Sequence, residues 1–287
     1  MAARVLFVTG KGGTGKSSVA AALAREASAR GTRVLLVRMP AGDDGESERL
    51  PPSRSRLFPA ASLLREKTLD DRHDLEAFLT RVLGLGFVAK RLGESRTFSA
   101  VAAAAPGLRD LVSLSAIASE ATRRVGLVIV DAPATGHSVP LLTAPARVLE
   151  LAPIGPVARE VARARELVRS AEAFTALLVT TPEELAIAEV IELRDAVLGA
   201  GVASLRTVVN GVWPAYATDD EGDLIESSAP SPDAVVHWRR HRRHEDLVRV
   251  LEARVGECSR IGFAFASEDL PPADVAKLLA SIGADRS

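Results

Sequence analysis

Cysteine is nearly absent from this sequence: Cys258 is the single example among 287 residues. One thiol excludes a network of disulfide bonds within the chain, and it excludes a metal site built from several cysteines of one chain. Aromatic residues are also scarce, at 4% of the chain. Because single-stranded nucleic acid binds to proteins largely by stacking on aromatic rings, we do not expect such a stacking platform.

A large net charge and a long hydrophobic run are absent as well. The formal net charge is -1, so the chain has no overall field that would attract DNA or an acidic membrane. No stretch approaches the roughly 18 uncharged apolar residues of a membrane span. The apolar run between Arg4 and Lys11 is too short for a signal peptide. We therefore expect a cytoplasmic protein with no stable membrane insertion.

Short apolar runs alternate with helical stretches along the chain, a pattern typical of buried parallel strands. We predict an α/β fold in which a mostly parallel sheet is flanked by helices. The length suits one large domain or two small ones, and we predict a single domain over residues 1–287. The predicted strands are Val5–Val8, Val34–Val37, Leu127–Val130, Ala176–Thr180, Thr207–Val209 and Ile261–Phe265.

A long insertion, residues 41–125, separates the second and third predicted strands. Its first part is rich in proline, glycine, serine and charge, which favours a surface loop. Apolar residues then recur at helical spacing, which predicts two helices, around Leu75–Val82 and around Leu108–Ser115. The insertion is either a lid or docking surface, or a plain helical layer on the sheet, and the sequence favours neither.

Three further segments are predicted in the second half of the chain. They are a helix from Glu183 to Ala200, an irregular surface loop from Trp213 to Asp233, and a charged helix from Val235 to Val255. The last helix contains a basic cluster at residues 237–244, which an acidic stretch follows directly. We interpret this cluster as a solvated helix face rather than a nucleic-acid-binding patch, and we expect no nucleic-acid partner.

The first predicted strand leads into a glycine-rich loop, residues 10–17, with the sequence GKGGTGKS. It fits the pattern G-x-x-x-x-G-K-[ST], in which glycines let backbone N–H groups curl around a phosphate. The positive end of the following helix adds to the attraction. We expect Lys16 to reach the β- and γ-phosphates and Ser17 to offer its hydroxyl to Mg²⁺. The loop therefore predicts a P-loop NTPase.

A second site signal is the strand Leu127–Val130, which ends in Asp131. Such an aspartate places its carboxylate at the carboxyl edge of the sheet, where ligands bind in these folds. There it can hold Mg²⁺ directly or through water. Gly136 in the following loop would let the backbone approach a γ-phosphate, so we predict that this loop responds to the presence of that phosphate.

The loop GKGGTGKS resembles the phosphate loop of the MinD/ParA, nitrogenase-iron-protein and arsenite-pump ATPases, a group that the early lysine, Lys11, marks. The segment DAPATGH, residues 131–137, is similar to the D-x-x-P-T-G-H segment of the arsenite-pump (ArsA-like) branch. That branch includes the guided-entry ATPases, which carry tail-anchored membrane proteins. Pro133 stands one residue early in this match. Weaker similarities at residues 106–110 and 181–184 extend the resemblance over most of the chain.

The resemblance implies ATP as the ligand, Mg²⁺ as the cofactor and a dimer as the working form. Lys11 would reach across the dimer interface to the partner's nucleotide, much as an arginine finger does. Asp131 would support Mg²⁺ from the second coordination sphere. Asn210 would bind the adenine edge through its amide; because Gly211 follows it, a simple turn is the alternative. The other expected nucleotide contacts are Gly12, Gly13, Thr14, Gly15, Lys16, Ser17 and Ser18.

The sequence departs from the family after the second predicted strand, where the family has an aspartate that positions the attacking water. Aligned on residues 40–41, this chain has Met39 there. A thioether neither accepts a proton from water nor orients it well. Either Asp43 or Asp44 substitutes as the catalytic carboxylate, or the chain binds ATP and hydrolyses it slowly or not at all. We favour slow turnover.

The resemblance leaves the partner and the client open. The chain would form a homodimer or a heterodimer with a related, active ATPase, and a hydrophobic helix or another protein would be the client. Arsenite capture and an iron–sulfur cluster are not expected, because both need more thiolates than this chain has. The two leading function classes are a nucleotide-gated dimeric ATPase and a non-catalytic ATP-binding regulatory subunit.

Overall fold

The computed structural model describes residues 4–39, 63–69, 71–83, 107–122, 126–151, 153–228, 231–263 and 269–283. The strands within them are β1 (Arg4–Gly10), β2 (Val34–Arg38), β3 (Leu64–Thr68), β4 (Leu127–Asp131), β5 (Phe174–Thr180), β6 (Leu205–Val212) and β7 (Ser259–Gly262). The helices are α1 (Lys16–Ala29), α2 (Asp71–Leu83), α3 (Leu108–Ala121), α4 (Thr135–Leu151), α5 (Pro156–Arg169), α6 (Glu184–Gly199), α7 (Asp219–Ser228), α8 (Pro232–Val255) and α9 (Pro272–Ile282). None of these helices combines the length and the apolar character needed to cross a bilayer.

The described strands form one parallel sheet in the order β3-β2-β4-β1-β5-β6-β7. Residues alternate between its two faces. In β1, Val5 and Phe7 belong to the core formed with α3 to α6 and α8, whereas Leu6 and Val8 belong to the core formed with α1 and α9. Because the central strands are buried on both faces, their sequences are continuous apolar runs. The predicted α/β fold and the first five predicted strands are confirmed. The sixth, Ile261–Phe265, is confirmed only at Ile261 and Gly262, because β7 ends there and residues 264–265 lie outside the described residues.

The sequence does not predict β3, the strand at the edge of the sheet next to β2. Its sequence is LREKT, and Arg65, Glu66 and Thr68 are exposed. An edge strand has one neighbour and open surroundings, so polar residues suit it and the apolar signal of the central strands is missing. The described part of the insertion therefore begins with a strand that widens the sheet.

Both predicted helices of the insertion are confirmed as α2 and α3. Together with α4 and α5 they enclose a third apolar cluster, formed by Leu75, Phe78, Val82, Leu111, Val112, Ala144 and Val161. The described part of the insertion is thus a helical layer. Residues 40–62 and 84–106 lie outside the described residues, so its use as a lid or docking surface stays a hypothesis.

Ion pairs with buried carboxylates hold this helical layer on the sheet. Lys67 Nζ of β3 lies 3.0 Å from Glu120 of α3 and 3.4 Å from Asp74 of α2. Arg81 Nε of α2 lies 2.7 Å from Glu160 of α5. A movement of α2 that separated these partners would leave a buried carboxylate without its counter-charge, which is costly. The pairs therefore favour the observed position of α2.

The prediction of an irregular loop from Trp213 to Asp233 is wrong for part of its length, because α7 lies within it. Thr218 and Glu221 form a capping box at its start. The Glu221 carboxylate accepts hydrogen bonds from the Thr218 backbone N–H and hydroxyl, both at 2.9 Å, and the Glu221 N–H donates back to the Thr218 hydroxyl. The spacing T-x-x-E is a helix-start signal, here placed in a stretch otherwise rich in acids and serine.

The predicted charged helix is confirmed as α8, and its basic cluster makes contacts within the chain. The backbone N–H of Trp213, just after β6, donates to His244 Nδ1 at 3.0 Å, and His241 Nδ1 donates to the Trp213 carbonyl at 2.9 Å. The Arg240 guanidinium lies 4.3 Å from the centre of the Trp213 ring. Carboxylates of α7 and α6 pair with the other arginines of the cluster, Arg239, Arg242 and Arg243.

We predict that the protein loses stability as the pH falls through the titration range of His244. Burial lowers the pKa of His244, the charge of Arg240 lowers it further, and Glu183 opposes this effect. His244 must be neutral to accept the bond from Trp213. The unfolded chain, with an ordinary histidine pKa of about 6.5, therefore binds the proton first. The stabilisation is complete above that pH and is lost as the pH falls towards the lower folded pKa.

The measurement is the free energy of unfolding in urea at about pH 7.5 and about pH 5.5. Acidification should lower the free energy of unfolding of the parent by about 1 kcal/mol more than that of His244→Asn. The reason is that asparagine offers an oxygen acceptor that does not titrate. Equal pH dependence in the parent and His244→Asn would contradict this account.

Candidate functional site

The glycine loop, Asp131 and Asn210 lie at the carboxyl edge of the sheet, around the end of β1. The chain places β2, β3 and β4 on one side of β1 and β5, β6 and β7 on the other. A crevice forms at such a point, and ligands bind there in open parallel sheets. The ends of β1, β4 and β6 bring the glycine loop, Asp131 and Asn210 to this crevice.

Two glycines of the loop approach neighbouring strands so closely that no side chain fits. A Cβ on Gly10 would lie 2.1 Å from the carbonyl oxygen of Val179 in β5. A Cβ on Gly15 would lie 2.3 Å from Asn210 Nδ2. Gly15 also has a φ of 85°, a left-handed conformation that glycine adopts without strain. The curled shape of the loop therefore depends on glycine at these two positions.

Lys16 begins α1, and its side chain reaches back across the loop. Lys16 Nζ donates a hydrogen bond to the Lys11 carbonyl at 2.9 Å, and Thr14 Oγ1 donates to the same oxygen at 2.9 Å. Burial lowers the pKa of Lys16, and the charge of Asp131 opposes this effect. No side chain caps α1 at Gly15. A partly desolvated ammonium beside an uncapped helix N-terminus suits an anion such as phosphate.

Ser17 and Asp131 supply oxygen atoms that suit Mg²⁺. Ser17 Oγ donates to Asp131 Oδ1 at 3.1 Å. Burial raises the pKa of Asp131, while the bond from Ser17 and the charges of Arg38 and Lys16 lower it. Mg²⁺ takes few protein ligands and completes its shell with water and phosphate, so this donor set fits it. Across the described ranges, no group of three or more His, Cys, Asp or Glu side chains could hold another metal.

Asn210 lies in β6 against the glycine loop. Its Nδ2 donates to the Thr14 carbonyl at 3.0 Å, whereas its Oδ1 is buried and has no hydrogen-bond partner among the described residues. A buried oxygen without a partner costs about 1–3 kcal/mol, so a ligand that donates to it is favoured. The exocyclic amine of adenine is such a donor. The simple turn, which was the alternative for Asn210, is not found, because β6 continues to Val212. Gly211, with a φ of 77°, lies instead where the register between β6 and β7 shifts, between Asn210 and Val212.

Lys11, the lysine that marks the resemblance, forms an ion pair within its own chain. Its Nζ lies 2.7 Å from Glu189 Oε1 of α6, and each side chain is 34% exposed. The sequence does not predict this pair, because the two residues are 178 positions apart. An ion pair of this exposure contributes about 0–1 kcal/mol, so a stronger anion can replace Glu189.

Met39 follows β2 and packs against the core formed with α3 to α6 and α8. Its backbone N–H donates to the Asp131 carbonyl at 3.1 Å, which continues the pairing of β2 with β4. Its apolar surroundings explain why a thioether is accommodated there. Asp43 and Asp44, the predicted substitutes for the missing carboxylate, lie outside the described residues.

The remaining predicted contacts have open surroundings. A Cβ on Gly12, Gly13 or Gly136 would meet no atom within 4 Å. The prediction that Gly136 lies in a loop is wrong, because it belongs to the first turn of α4. Ser18 is exposed on α1. Each of these positions is accessible at the loop or beside it, and their contact with a ligand stays a prediction.

Sequence reasoning missed Arg38, the last residue of β2. Its Nη1 lies 3.6 Å from Asp131 Oδ2, and its Nε lies 3.2 Å from Glu66 Oε2 of β3. The register pairs Arg38 with Asp131, so both side chains lie on the α1 face of the sheet. Val34 and Leu36 face α1. Continuing this alternation by two residues would have predicted Arg38 on the same face, at the end of the strand.

Comparison with known proteins agrees with this geometry. The sequence profile of the anion-transporting ATPase family matches residues 3–43, which contain β1, the glycine loop, α1 and β2. ATPase BagA of Mycobacterium tuberculosis is 30% identical over an alignment of 292 positions, which covers 96% of this chain and 78% of that protein. The arsenical pump-driving ATPase of Escherichia coli is 26% identical over 243 residues, covering 78% of this chain and 41% of that protein.

The parallel sheet and its glycine loop place the chain among the P-loop NTPases. Similarity to BagA over nearly the whole chain narrows this class, and the chain belongs to the ArsA-like family of P-loop ATPases. The resemblance inferred from the motifs is thereby confirmed. Family membership supports nucleotide binding and ATPase activity.

We predict that Gly15→Ala weakens ATP binding much more than Gly12→Ala. Alanine at position 15 would be strained at a positive φ and would collide with Asn210, and about 1.4 kcal/mol of distortion suffices for a tenfold loss. Position 12 is open, so Gly12→Ala is the matched control. Calorimetry with MgATP measures both affinities, with thermal melting to check folding. Equal affinities in the two variants would contradict the cradle described here.

Proposed function

We propose that this chain is an ATP-binding, nucleotide-gated dimeric ATPase of the arsenite-pump/guided-entry type, with slow hydrolysis. The observation that carries the proposal is the glycine loop. Its Lys16 ammonium lies across the loop beside an uncapped helix start, next to the Ser17–Asp131 pair. Positive charge, backbone donors and oxygen ligands for one metal ion form the combination that a magnesium-bound triphosphate needs.

The residues of the site have separate roles in this proposal. Lys16 binds the β- and γ-phosphate oxygens, Ser17 and Asp131 hold Mg²⁺, and the Asn210 oxygen accepts a hydrogen bond from adenine. Mg²⁺, when bound, neutralises charge on the phosphate oxygens during transfer. Gly136 brings the start of α4 near the γ-phosphate, so that ATP and ADP favour different positions of this helix.

Slow hydrolysis follows from the residue at position 39. Met39 packs against the apolar core, and its thioether is a poor acceptor for the proton of a water molecule. Help from a group that orients or deprotonates water is worth ~10²–10⁴ in rate. ATP binding survives this loss because phosphate binding depends on the loop and its charges.

A second candidate is a non-catalytic ATP-binding regulatory subunit that pairs with an active relative. Met39 is the observation that favours it. This candidate predicts tight ATP binding, no phosphate release by the chain alone, and a requirement for the partner chain. The first candidate predicts slow but measurable phosphate release by the purified chain.

The proposed dimer gives Lys11 its function. Lys11 leaves Glu189 and reaches the nucleotide of the partner, which is a second copy or a related ATPase. ATP then favours the closed dimer and ADP the open one, and the surface of the insertion, residues 41–125, changes between the two. A hydrophobic helix or another protein is the proposed client, in the cytoplasm, without nucleic acid.

We predict that Met39→Asp raises the rate of phosphate release from bound ATP. The introduced carboxylate would orient the attacking water, so the single-turnover rate should increase by ~10² or more. Met39→Leu, which keeps the apolar contact, is the control and should leave the rate unchanged. A parental rate that Met39→Asp does not increase, but that Asp43→Asn or Asp44→Asn abolishes, would contradict slow turnover.

We also predict that Glu189→Gln promotes ATP-dependent dimerisation. The substitution releases Lys11, so dimers should form at ATPγS concentrations lower by up to about fivefold, the range expected from a partly exposed ion pair. Light scattering measures the mass at each concentration. Glu192→Gln, at an exposed position of the same helix, should behave like the parent. A mass that never depends on the nucleotide would contradict the gated dimer.

A further inference from the structure

Arg38 places a positive charge beside Asp131 and Ser17, the residues proposed to hold Mg²⁺. The proposed function gives this arginine no role. Its guanidinium contacts Asp131 Oδ2, while the other oxygen of the same carboxylate accepts the bond from Ser17. One carboxylate thus connects Arg38 to the hydroxyl expected to bind Mg²⁺. The Arg38 side chain is 35% exposed, so it has room to move.

Binding of Mg²⁺ at Ser17 and Asp131 would weaken the contact between Arg38 and Asp131. Ser17 and Asp131 would hold the ion, and its two positive charges would compete with the guanidinium for the Asp131 carboxylate. Like charges repel, so the guanidinium would gain from an anion on the Asp131 side in addition to Glu66. The terminal phosphate of ATP arrives together with the ion, and a guanidinium binds phosphate oxygens through two parallel N–H donors.

We propose that Arg38 binds the terminal phosphate of ATP from within the same chain and thereby makes the site prefer ATP to ADP. This inference rests on the proposed function, because it requires a nucleotide in the glycine loop. Glu66 of β3 holds the guanidinium in the absence of ligand through the bond to Nε. β3, the strand that the sequence does not predict, thus provides the resting position for Arg38.

The neighbouring residues Arg38 and Met39 have opposite orientations and different tasks in this proposal. Strand alternation places Arg38 on the α1 face with Ser17 and Asp131, whereas Met39 packs into the core of the other face. Arg38 adds binding energy for a γ-phosphate without activating water. The site would therefore retain ATP tightly while hydrolysing it slowly.

The test compares the affinities for MgATPγS and MgADP by calorimetry in the parent and in Arg38→Ala. The variant should bind ATPγS about tenfold to a hundredfold more weakly, the loss expected for a charge-assisted bond, with ADP affinity within about twofold of the parent. Arg38→Lys keeps the positive charge but loses the two parallel N–H donors of the guanidinium, so its ATPγS affinity should lie between those of the parent and Arg38→Ala. Arg65→Ala, at an exposed arginine of β3, is the matched control and should behave like the parent.

Two outcomes separate this inference from the proposed function. If the parent binds both nucleotides and Arg38→Ala weakens them equally or not at all, Arg38 does not contact the terminal phosphate, and the inference alone is overturned. If the parent binds neither nucleotide, the proposed function itself fails.

Glu66→Gln gives a second test that does not remove the arginine. It releases Arg38 from its resting partner, so ATPγS should bind about twofold to fivefold more tightly, with ADP affinity unchanged. Weaker binding of ATPγS to Glu66→Gln would contradict the proposed movement of Arg38.

Discussion

The Lys16 ammonium lies inside a loop whose shape only glycine permits, and the other site contacts depend on that shape. Gly10 touches β5 and Gly15 touches Asn210 at distances that exclude a Cβ. The loop, which follows β1, therefore packs closely against β5 and β6. The Lys16 side chain reaches across the loop and donates to the Lys11 carbonyl. Because this cation is partly buried, its attraction to an anion is stronger than it would be in water.

The charges around this loop are held by weak contacts that a nucleotide can replace. Lys11 pairs with Glu189, and Arg38 is shared between Asp131 and Glu66. The Lys11–Glu189 and Arg38–Glu66 pairs are partly exposed on both sides and contribute little stability. In the Arg38–Asp131 contact only Arg38 is partly exposed, and the two charged atoms lie 3.6 Å apart. Phosphate and Mg²⁺ offer these groups stronger partners, so the same side chains that rest on carboxylates become ligands when ATP binds.

The elements predicted from the sequence are those with local signals. The central strands, the glycine loop and α8 carry continuous apolar runs, a fixed motif or helical periodicity. β3 was missed because an edge strand such as LREKT lacks an apolar run, and α7 because its capping box lies in a polar stretch. The Lys11–Glu189 and Arg38–Asp131 contacts depend on strand order and register, which a motif does not specify.

Calorimetric titration with MgATP of the parent and of Lys16→Ala tests the central claim most directly. The account predicts saturable binding by the parent and a loss of about tenfold or more in Lys16→Ala, because a partly buried cation that binds phosphate contributes at least one charge-assisted bond. Absence of binding heat in the parent, with Lys16→Ala indistinguishable from it, would contradict the account.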